Sequence, residues 1–515
     1  MTVKKVLFLG LDSAEPKLLK QWSEDGSLPN LQKIGQSSTW GNMKIPKGFS
    51  NGAMWPSLFT GVNLGKHGRY NYLHIKPGTY DVRNHFHEDT DYQVLPFWVD
   101  LSNQGKRVGI VDVPRAPLTQ NINGVQIADW LTHDRRDAIA RSYPESLAQN
   151  IIATFGDDEI GERPELYLKN HSYQAFIELL KERIDIRAEQ TIQLAKQADY
   201  NFFMTVFGEP HDIGHMCWHL HDSTRQDYNS NFGNPVKDIY VALDKALGKI
   251  IDNLDYTDII VFAGPGITNN YGINEGFDPV LQKIEQNFLK QSKSTKKRKQ
   301  SKSTIKRKQS LIPKIRSLVR QYLPKKMRGK IYNKIPDAVK KQEKTLLTSK
   351  QRWFILPFGD TGCAIRLNVV GREPNGLIKS GQEYDEICNF IRDSLSTLNN
   401  LETGTPLVEE VIQINQFYHG QAVEQLPDLV VNWNRKDPIR LIGSEELGEF
   451  EVKCYTRRTG EHNDDAIFWL NSLSLNPQKL EKTLKVEDLA PTIATLLNIK
   501  LSETDGSPIQ EMVGN

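Results

Sequence analysis

Four of the twelve histidines fall within eleven residues, a far higher density than uniform scatter would give. His211 and His215 are four residues apart, so they would lie on one face of a helix. This spacing is a common way to present two imidazoles to zinc, but it also occurs in polar networks at helix starts. For His219 and His221 we expect a structural role. The spacing alone leaves metal binding and a polar network both open.

A hydrolytic metal site also needs a carboxylate and a further imidazole, which two distant residues could supply. Asp12 follows a short apolar run, residues 6–11, and is the leading carboxylate candidate. Its competing role is that of an N-cap for a helix beginning near Pro16. His462 lies in a polar, turn-like stretch before apolar residues 466–470 and is the candidate third imidazole.

Short apolar runs alternate with helical patterns along the chain. We predict buried strands at residues 6–11, 108–111, 201–207 and 258–263, and helices at residues 173–197, 236–254 and 486–497. Such an order predicts an α/β fold with a mostly parallel central sheet and helices on both faces. Because ligands bind beyond the carboxyl ends of parallel strands, Asp12 and the clustered histidines should share one crevice.

The small net charge of the 515-residue chain hides a strong asymmetry. The 65 Lys and Arg and 63 Asp and Glu give a net charge of +2, but residues 290–330 hold 17 basic and no acidic residues. The remainder is acidic, with 48 basic against 63 acidic side chains. The composition, 38% hydrophobic and 25% charged, excludes collagen-like, wholly disordered and disulfide-scaffold classes.

The basic segment belongs to an insertion at residues 285–346, between two core parts at residues 1–284 and 347–515. Its Lys-rich first half predicts a solvated loop, and nucleic-acid binding is disfavoured because no aromatic side chains are interleaved for stacking. From Leu311 to Tyr322, apolar residues recur at helical spacing among basic ones. This amphipathic helix either lies on an anionic surface or packs on the body, and we favour packing.

The cysteines and apolar runs predict a cytoplasmic protein. The four cysteines show no CxxC spacing, which is typical of reduced thiols. No apolar run approaches the ~18 residues of a membrane span, and residues 6–11 are too short for the apolar part of a signal peptide. We therefore expect no transmembrane segment.

Five stretches of the chain occur in a recognisable order. They are residues 9–14 (Leu-Gly-Leu-Asp-Ser-Ala), 28–31 (Leu-Pro-Asn-Leu), 55–68 (Trp-Pro-Ser-Leu-Phe-Thr-Gly-Val-Asn-Leu-Gly-Lys-His-Gly), 209–215 (Glu-Pro-His-Asp-Ile-Gly-His) and a C-terminal set at 461–462, 486–493 and 505–506. Together they resemble the alkaline phosphatase superfamily, in its type I phosphodiesterase/nucleotide pyrophosphatase branch. The resemblance spans nearly the whole chain outside the insertion. It implies an alkaline-phosphatase-like fold and a metal-dependent hydrolase.

The resemblance also implies a metal site. It places His211, His215 and His462 around one metal, with His211 standing where the family has Asp. Such a three-imidazole set suits zinc or another divalent transition metal, with a fourth position open. The family's second metal takes the first Asp, here Asp12, and an Asp-His pair, whose positions here hold Gly264 and Pro265. One ion is therefore expected rather than two.

The position of the family's nucleophile lies ten residues before Gly61, which is Asn51 in this chain. A carboxamide cannot form a phosphoenzyme, so Asn51 would instead donate a hydrogen bond to the developing oxyanion. Ser50, one residue earlier, could serve as nucleophile if the loop shifts. Asp12 would contribute to a partial second metal site or act as the base.

Four further residues are candidates for supporting roles. Glu209 and Asp212 are close enough in sequence to the histidines to orient their rings. Arg457 and Arg458, shortly before His462, could clamp an anionic ester through bidentate hydrogen bonds or form a solvated pair.

We expect a metal-dependent hydrolase of an anionic phosphate or sulfate ester, similar to a phosphodiesterase or nucleotide pyrophosphatase. Two alternatives stay open because a fold does not determine a function. One is another mononuclear-metal reaction on the same scaffold, such as a lyase or an acyl or amide transfer. The other is a retired hydrolase that serves as a binding protein.

Overall fold

The computed structural model describes residues 4–50, 52–84, 92–132, 139–161, 163–296, 348–454 and 456–513. Its strands are β1 (Val6–Asp12), β2 (Ser38–Lys44), β3 (Leu73–Ile75), β4 (Val82–Asn84), β5 (Val108–Val111), β6 (Gly124–Ala128), β7 (Arg141–Tyr143), β8 (Phe202–Phe207), β9 (Asp258–Gly264), β10 (Ile267–Asn269), β11 (Trp353–Leu356), β12 (Gly362–Leu367), β13 (Asn399–Asn400), β14 (Val408–Gln413), β15 (Leu429–Trp433), β16 (Leu441–Ser444), β17 (Gly448–Glu451), β18 (Gly460–His462), β19 (Asp465–Ser472) and β20 (Leu484–Lys485). Its helices are α1 (Pro16–Glu24), α2 (Pro29–Gln36), α3 (Met54–Thr60), α4 (Leu64–His67), α5 (Phe97–Asn103), α6 (Ser146–Phe155), α7 (Pro164–Asn170), α8 (Tyr173–Lys196), α9 (Glu209–Cys217), α10 (Pro235–Asn253), α11 (Asp278–Lys296), α12 (Gln382–Ser396), α13 (Leu489–Leu496) and α14 (Gln510–Val513).

A large sheet forms the centre of the described structure, in the order β20-β2-β19-β9-β1-β8-β5-β6-β7. The central strands, from β9 to β6, are parallel. β19 runs antiparallel to both of its neighbours, and β7 runs antiparallel to β6. The predicted mostly parallel sheet is confirmed, and antiparallel strands extend it on both sides.

The side chains of β1 alternate between the two faces of this sheet. Leu7, Leu9 and Leu11 join an apolar core with α1, α2, α8 and α10. Val6 and Phe8 join a second core on the opposite face, with α3, α5 and α13. A strand that is buried on both faces has an unbroken apolar sequence, which is why this run stands out in the chain.

A smaller antiparallel sheet, β11-β12-β15-β14, lies in the chain between β10 and β18. It packs with α11 and α12 around an apolar core of its own, which includes Trp353, Leu367 and Ile391. The chain then returns through β18, which pairs with β10, and through β19 in the main sheet. No sequence pattern had indicated a separate core within residues 347–515.

Most of the predicted insertion lies outside the described residues. Helix α11 crosses the boundary predicted after residue 284 and ends at Lys296. Residues 297–347, with the predicted amphipathic helix, are not among the residues described, so the domain boundaries there stay predictions. Nowhere in the described ranges is a helix both long and apolar enough to cross a membrane.

Candidate metal centre

Parallel pairing places the end of β1 beside the end of β8. Leu11 is paired with Phe207, so Asp12, the last residue of β1, lies where the chain leaves β8 for α9. Helix α9 carries His211 and His215 one turn apart. The crevice expected at the carboxyl ends of the strands is therefore formed by β1 and α9.

The third imidazole reaches the site through β18, which pairs antiparallel with β10. His462 is the last residue of β18 and lies opposite Ile267. A Cβ on Gly214 would approach the Ile267 side chain to 2.6 Å, and a Cβ on Gly460 would approach the Gly214 carbonyl to 2.2 Å. These two glycines let α9 touch the β10–β18 pair, which brings His462 to the helix.

The three imidazoles form a compact and buried donor set. One ring nitrogen from each of His211, His215 and His462 lies within 4.8 Å of the other two. The Nε2 atoms of His215 and His462 are 3.2 Å apart. Two nitrogens that each lie about 2.0–2.1 Å from a tetrahedral zinc ion are separated by about 3.3 Å. The chemistry and spacing of these donors therefore fit a zinc-like ion.

Contacts at Nδ1 orient two of these rings. Nδ1 of His215 is 2.7 Å from the carbonyl oxygen of Gly460, and Nδ1 of His462 is 3.4 Å from the Ser13 hydroxyl. When Nδ1–H donates to that carbonyl, Nε2 of His215 keeps its lone pair for a metal. Ser13 has φ 59°, in the left-handed region, at the turn after β1.

Asp12 lies beside the three imidazoles. Its Oδ2 is 3.5 Å from Nδ1 of His211, and its Oδ1 accepts a 2.6 Å hydrogen bond from Nε1 of Trp55. The alternative N-cap role is wrong, since the Glu15 side chain caps α1. The position suits a group that orients His211, accepts a proton or binds an ion, and the predicted choice of ligand or base stays a prediction.

The end of β9, on the other side of β1, presents no side-chain donor. Gly264 is paired with Asp12 across the two strands, and Pro265 follows it. The Gly264 carbonyl accepts a 3.2 Å hydrogen bond from the backbone N–H of Ser13. This end of the sheet thus contributes backbone contacts to the turn after β1, where the resemblance implied a second set of ligands.

A cavity that is open to solvent lies beside the imidazoles. Its described lining residues are Asp12, Ser13, Ser50, Gly52, Met54, Trp55, Arg115, His211, Pro265 and His462. Ser50, the predicted alternative nucleophile, therefore borders the site. Asn51, at the position of the family's nucleophile, lies outside the described residues.

Glu209 and Asp212 face a buried arginine of α8. Nε of Arg183 is 3.3 Å from Oε1 of Glu209, and its Nη1 is 3.6 Å from Oδ2 of Asp212. Burial raises the pKa of the Glu209 carboxyl, although the positive charge of Arg183 acts in the opposite direction. The contacts of Arg183 with Glu209 and Asp212 thus connect α9 to α8. The role of both acids in orienting the imidazoles stays a prediction.

Arg457 and Arg458 are not among the described residues that line the cavity. Arg457 is exposed, and Nε of Arg458 donates a 2.8 Å hydrogen bond to Glu165. Arg115 lines the cavity instead. Arg115 was not among the predicted site residues, although its place after the predicted strand at 108–111 was a usable signal.

His219 and His221 lie apart from the donor set. Nδ1 of His219 is 3.1 Å from the Thr459 hydroxyl, and Nδ1 of His221 is 3.1 Å from Oδ1 of Asn234. Burial lowers the pKa of both imidazoles because it disfavours the charged ring. These contacts match the structural role expected of both residues.

Two solved structures share this architecture. Murine ectonucleotide pyrophosphatase/phosphodiesterase 5, an inactive form in complex with AMP, is 13% identical, with a TM-score of 0.50 over 99% of this chain and 100% of that chain. Phosphonoacetate hydrolase from Sinorhizobium meliloti, in complex with phosphonoformate, is 13% identical, with a TM-score of 0.50 over 96% of each chain. At this identity the likeness concerns the fold alone, and it confirms the predicted alkaline-phosphatase-like fold.

The sequence itself matches one family. No curated protein matches the chain. The family model for type I phosphodiesterase / nucleotide pyrophosphatase, however, matches residues 6–354. Members of this family typically depend on divalent metals, and the described residues include an imidazole cluster that could hold a metal ion. The protein therefore belongs to the type I phosphodiesterase/nucleotide pyrophosphatase family and is a phosphoric-ester hydrolase.

Proposed function

We propose that the protein hydrolyses an anionic phosphate diester with one zinc ion held by His211, His215 and His462. The observation that carries this proposal is the 3.2 Å separation of the His215 and His462 Nε2 atoms within a buried three-imidazole set. Imidazoles suit zinc and similar transition metals, whereas magnesium and calcium prefer oxygen ligands. Three protein donors leave a fourth tetrahedral position for water or substrate.

The residues around the imidazoles supply the remaining chemistry. A bound ion would polarise a phosphoryl oxygen and make water more acidic. Oδ1 of Asp12 accepts a hydrogen bond from Trp55, and Oδ2, 3.5 Å from Nδ1 of His211, would accept the proton of the group that attacks phosphorus. A new P–O bond forms while the bond to the leaving oxygen breaks, and that oxygen takes up a proton from solvent.

The attacking oxygen belongs to water in this proposal, because Asn51 stands at the position of the family's nucleophile. Ser50 borders the same cavity and offers the competing covalent route, in which its hydroxyl would attack phosphorus. Ser50→Ala distinguishes the two routes. Turnover within about threefold of wild type supports attack by water, and a loss of about a thousandfold or more supports the covalent route.

Metal content and turnover together test the proposed function. We expect one equivalent of zinc per chain, turnover of bis(p-nitrophenyl) phosphate, and loss of both in His211→Ala. His219→Ala is the matched control, since His219 belongs to the same sequence cluster but contacts Thr459. Purified protein without a transition metal, or full turnover in His211→Ala, would contradict the proposal. Two equivalents of metal would contradict its single-ion part.

We also propose a reducing, cytoplasmic location. The support is that all four cysteines are free thiols, three of them buried. Fractionation of cells that express the tagged chain should recover it with cytoplasmic markers. Recovery in an oxidising compartment or with membranes would contradict this assignment.

A further inference from the structure

We infer that Arg115 recognises the anionic phosphoryl group of the substrate in this cavity. The inference rests on the proposed function and assigns a side chain that recognises its substrate. The Arg115 guanidinium would bind the ionised oxygen that a phosphate diester carries on phosphorus.

Arg115 supplies the one permanently cationic side chain among the described residues that line the cavity. The other polar side-chain groups of that lining are the Asp12 carboxylate, the hydroxyls of Ser13 and Ser50, the Trp55 indole N–H and the imidazoles of His211 and His462. A carboxylate repels an anionic substrate, so an anion entering this space needs a compensating charge. A guanidinium stays charged at all relevant pH values, and its planar fork matches two oxygens of a phosphoryl group.

The backbone holds Arg115 at the cavity wall. The residue has φ 62°, in the left-handed region, and its carbonyl oxygen accepts a hydrogen bond from the Tyr92 hydroxyl. The Tyr92 ring in turn lies against the guanidinium of Arg69, 4.2 Å from the ring centroid, and Arg69 is fully buried. The turn after β5 is therefore tied to the interior.

The guanidinium of Arg115 lies against the backbone of Gly52. A Cβ at residue 52 would approach Nη1 of Arg115 to 2.6 Å and the Tyr70 carbonyl oxygen to 2.1 Å. Because only glycine lacks this atom, Gly52 makes room for the guanidinium next to Ser50 and Trp55, which belong to the same wall.

Two other arginines near the site, Arg435 and Arg458, are not among the described residues that line the cavity. Arg458 donates to Glu165 at 2.8 Å, and Nη2 of Arg435 donates to the carbonyl oxygen of His462. Arg435 thus holds β18, whereas Arg115 borders the space that a substrate would enter. A cationic wall favours phosphoryl anions over neutral carboxylic esters and amides, which disfavours acyl or amide transfer on this scaffold.

Binding of inorganic phosphate to the metal-loaded protein tests this inference. Arg115→Gln removes the charge, and Arg115→Lys keeps the charge but loses the planar fork. In calorimetric titrations we expect phosphate affinity to fall on the order of 10–100-fold in Arg115→Gln and less in Arg115→Lys. KM for bis(p-nitrophenyl) phosphate should rise in the same order, while metal content and thermal midpoint stay at wild-type values.

Arg440→Gln is the control for a general loss of positive charge, since its side chain is 63% exposed just before β16. We expect it to bind phosphate as the wild type does. Equal losses in Arg440→Gln and Arg115→Gln would overturn the inference, because the effect would then be one of net charge.

The remaining outcomes separate the inference from the proposed function. If Arg115→Gln holds metal, hydrolyses the diester and binds phosphate with unchanged affinity, the inference is overturned and the proposed function stands. Metal loss in Arg115→Gln, failure of both variants to fold, or no phosphate binding by wild type would also overturn it. If the wild type binds phosphate through Arg115 but hydrolyses no ester, the proposed function fails and the anion site stands.

Discussion

Strands β8 and β9 flank β1 in the main sheet, and both end beside the cavity. After β8 the chain enters α9, which presents His211 and His215. β9 ends at Gly264 and is followed by Pro265, and neither residue has a donor side chain. Every residue of both strands is buried, so burial does not account for this difference. The two ends differ in the residue types that follow the strands.

Close packing at the end of β9 leaves no room for a metal-binding side chain at Gly264. A Cβ on Gly264 would lie 2.6 Å from Cβ of Ala466, and Gly264 has φ 148°. Ala466 is brought to this place by β19, which pairs antiparallel with β9. The ends of β8 and β9 therefore differ in how tightly the backbone is packed as well as in the residue types that they present.

The largest expected effect is that of removing His462, which lies on β18 and completes the donor set formed by His211 and His215 after β8. We expect His462→Ala to lose the bound metal and to lower turnover by at least about a thousandfold, because the remaining imidazoles no longer enclose an ion. Elemental analysis and kcat for bis(p-nitrophenyl) phosphate measure both effects. His171→Ala, at an exposed histidine, is the control. Turnover of His462→Ala within tenfold of wild type would contradict the metal site that distinguishes the end of β8 from the end of β9.

The donor-poor side is tested by Gly264→Ala. A methyl group would meet Ala466 and place a side chain at a positive φ, so we expect a loss of about 2–4 kcal/mol in the free energy of unfolding. Gly26→Ala separates strain from collision, since Gly26 has φ 81° and open space around its Cβ position. For Gly26→Ala we expect about 1 kcal/mol. Equal losses in urea denaturation would show that packing at Ala466 is unimportant.

Trp55→Phe tests the role of Asp12 in turnover, since Asp12 lies between the ends of β8 and β9. The change removes the 2.6 Å hydrogen bond to Oδ1 of Asp12 and leaves an aromatic ring in place. We expect kcat/KM to fall by about 10- to 150-fold with unchanged metal content, since a hydrogen bond to a charged group contributes about 1.5–3 kcal/mol. Trp98→Phe, which breaks a 3.4 Å bond to Thr119, is the matched control. Similar losses in both variants would contradict a specific role for Trp55.

The smallest expected effect concerns Glu15, which lies near the end of β9. A Cβ on Gly266 would be 2.3 Å from its Oε2, and Asn463 donates to the same oxygen at 2.7 Å. Burial raises the pKa of the Glu15 carboxyl above its ordinary value of 4.5. The stability that the protonated carboxyl contributes is therefore present below pH 4.5 and is lost as the pH rises through the folded-state pKa.

The Glu15→Gln variant has no carboxyl group to ionise at this position, so it should not lose this stability as the pH rises. We expect its melting temperature, relative to wild type, to increase by on the order of 1–3 °C between pH 4 and pH 8. Glu24→Gln, at an exposed position on α1, should show a constant difference. A relative melting temperature of Glu15→Gln that decreases with pH would indicate a cation bound at the end of β9, since such a charge would lower the pKa of Glu15.

Much of the scaffold could be predicted from local patterns. Residues 6–11, 201–207 and 258–263 are mostly apolar, as expected of strands buried on both faces, and they form β1, β8 and β9. The spacing of His211 and His215 predicted one helix face, and both lie on α9. These predictions succeeded because strand and helix periodicities are properties of a short segment.

Other features depend on contacts between distant segments. The smaller sheet and the antiparallel flanks of the main sheet required pairings that no local pattern specifies. Arg115 follows a predicted strand, but only packing shows that its turn faces the cavity. Glu209 and Asp212 lie on the helix of the histidines, yet they face Arg183 because α8 packs against that side.

Residue types and local spacing specify the kinds of donors, the separation of the first two imidazoles and the strand that they follow. The approach of His462 Nε2 to within 3.2 Å of His215 Nε2, 247 residues away, depends instead on the tertiary structure. That approach depends on the backbone pairing of β18 with β10 and on the absence of side chains at Gly214 and Gly460. Hydrogen bonds and steric contacts between remote segments, which no short window of sequence contains, decide whether the three rings form one site.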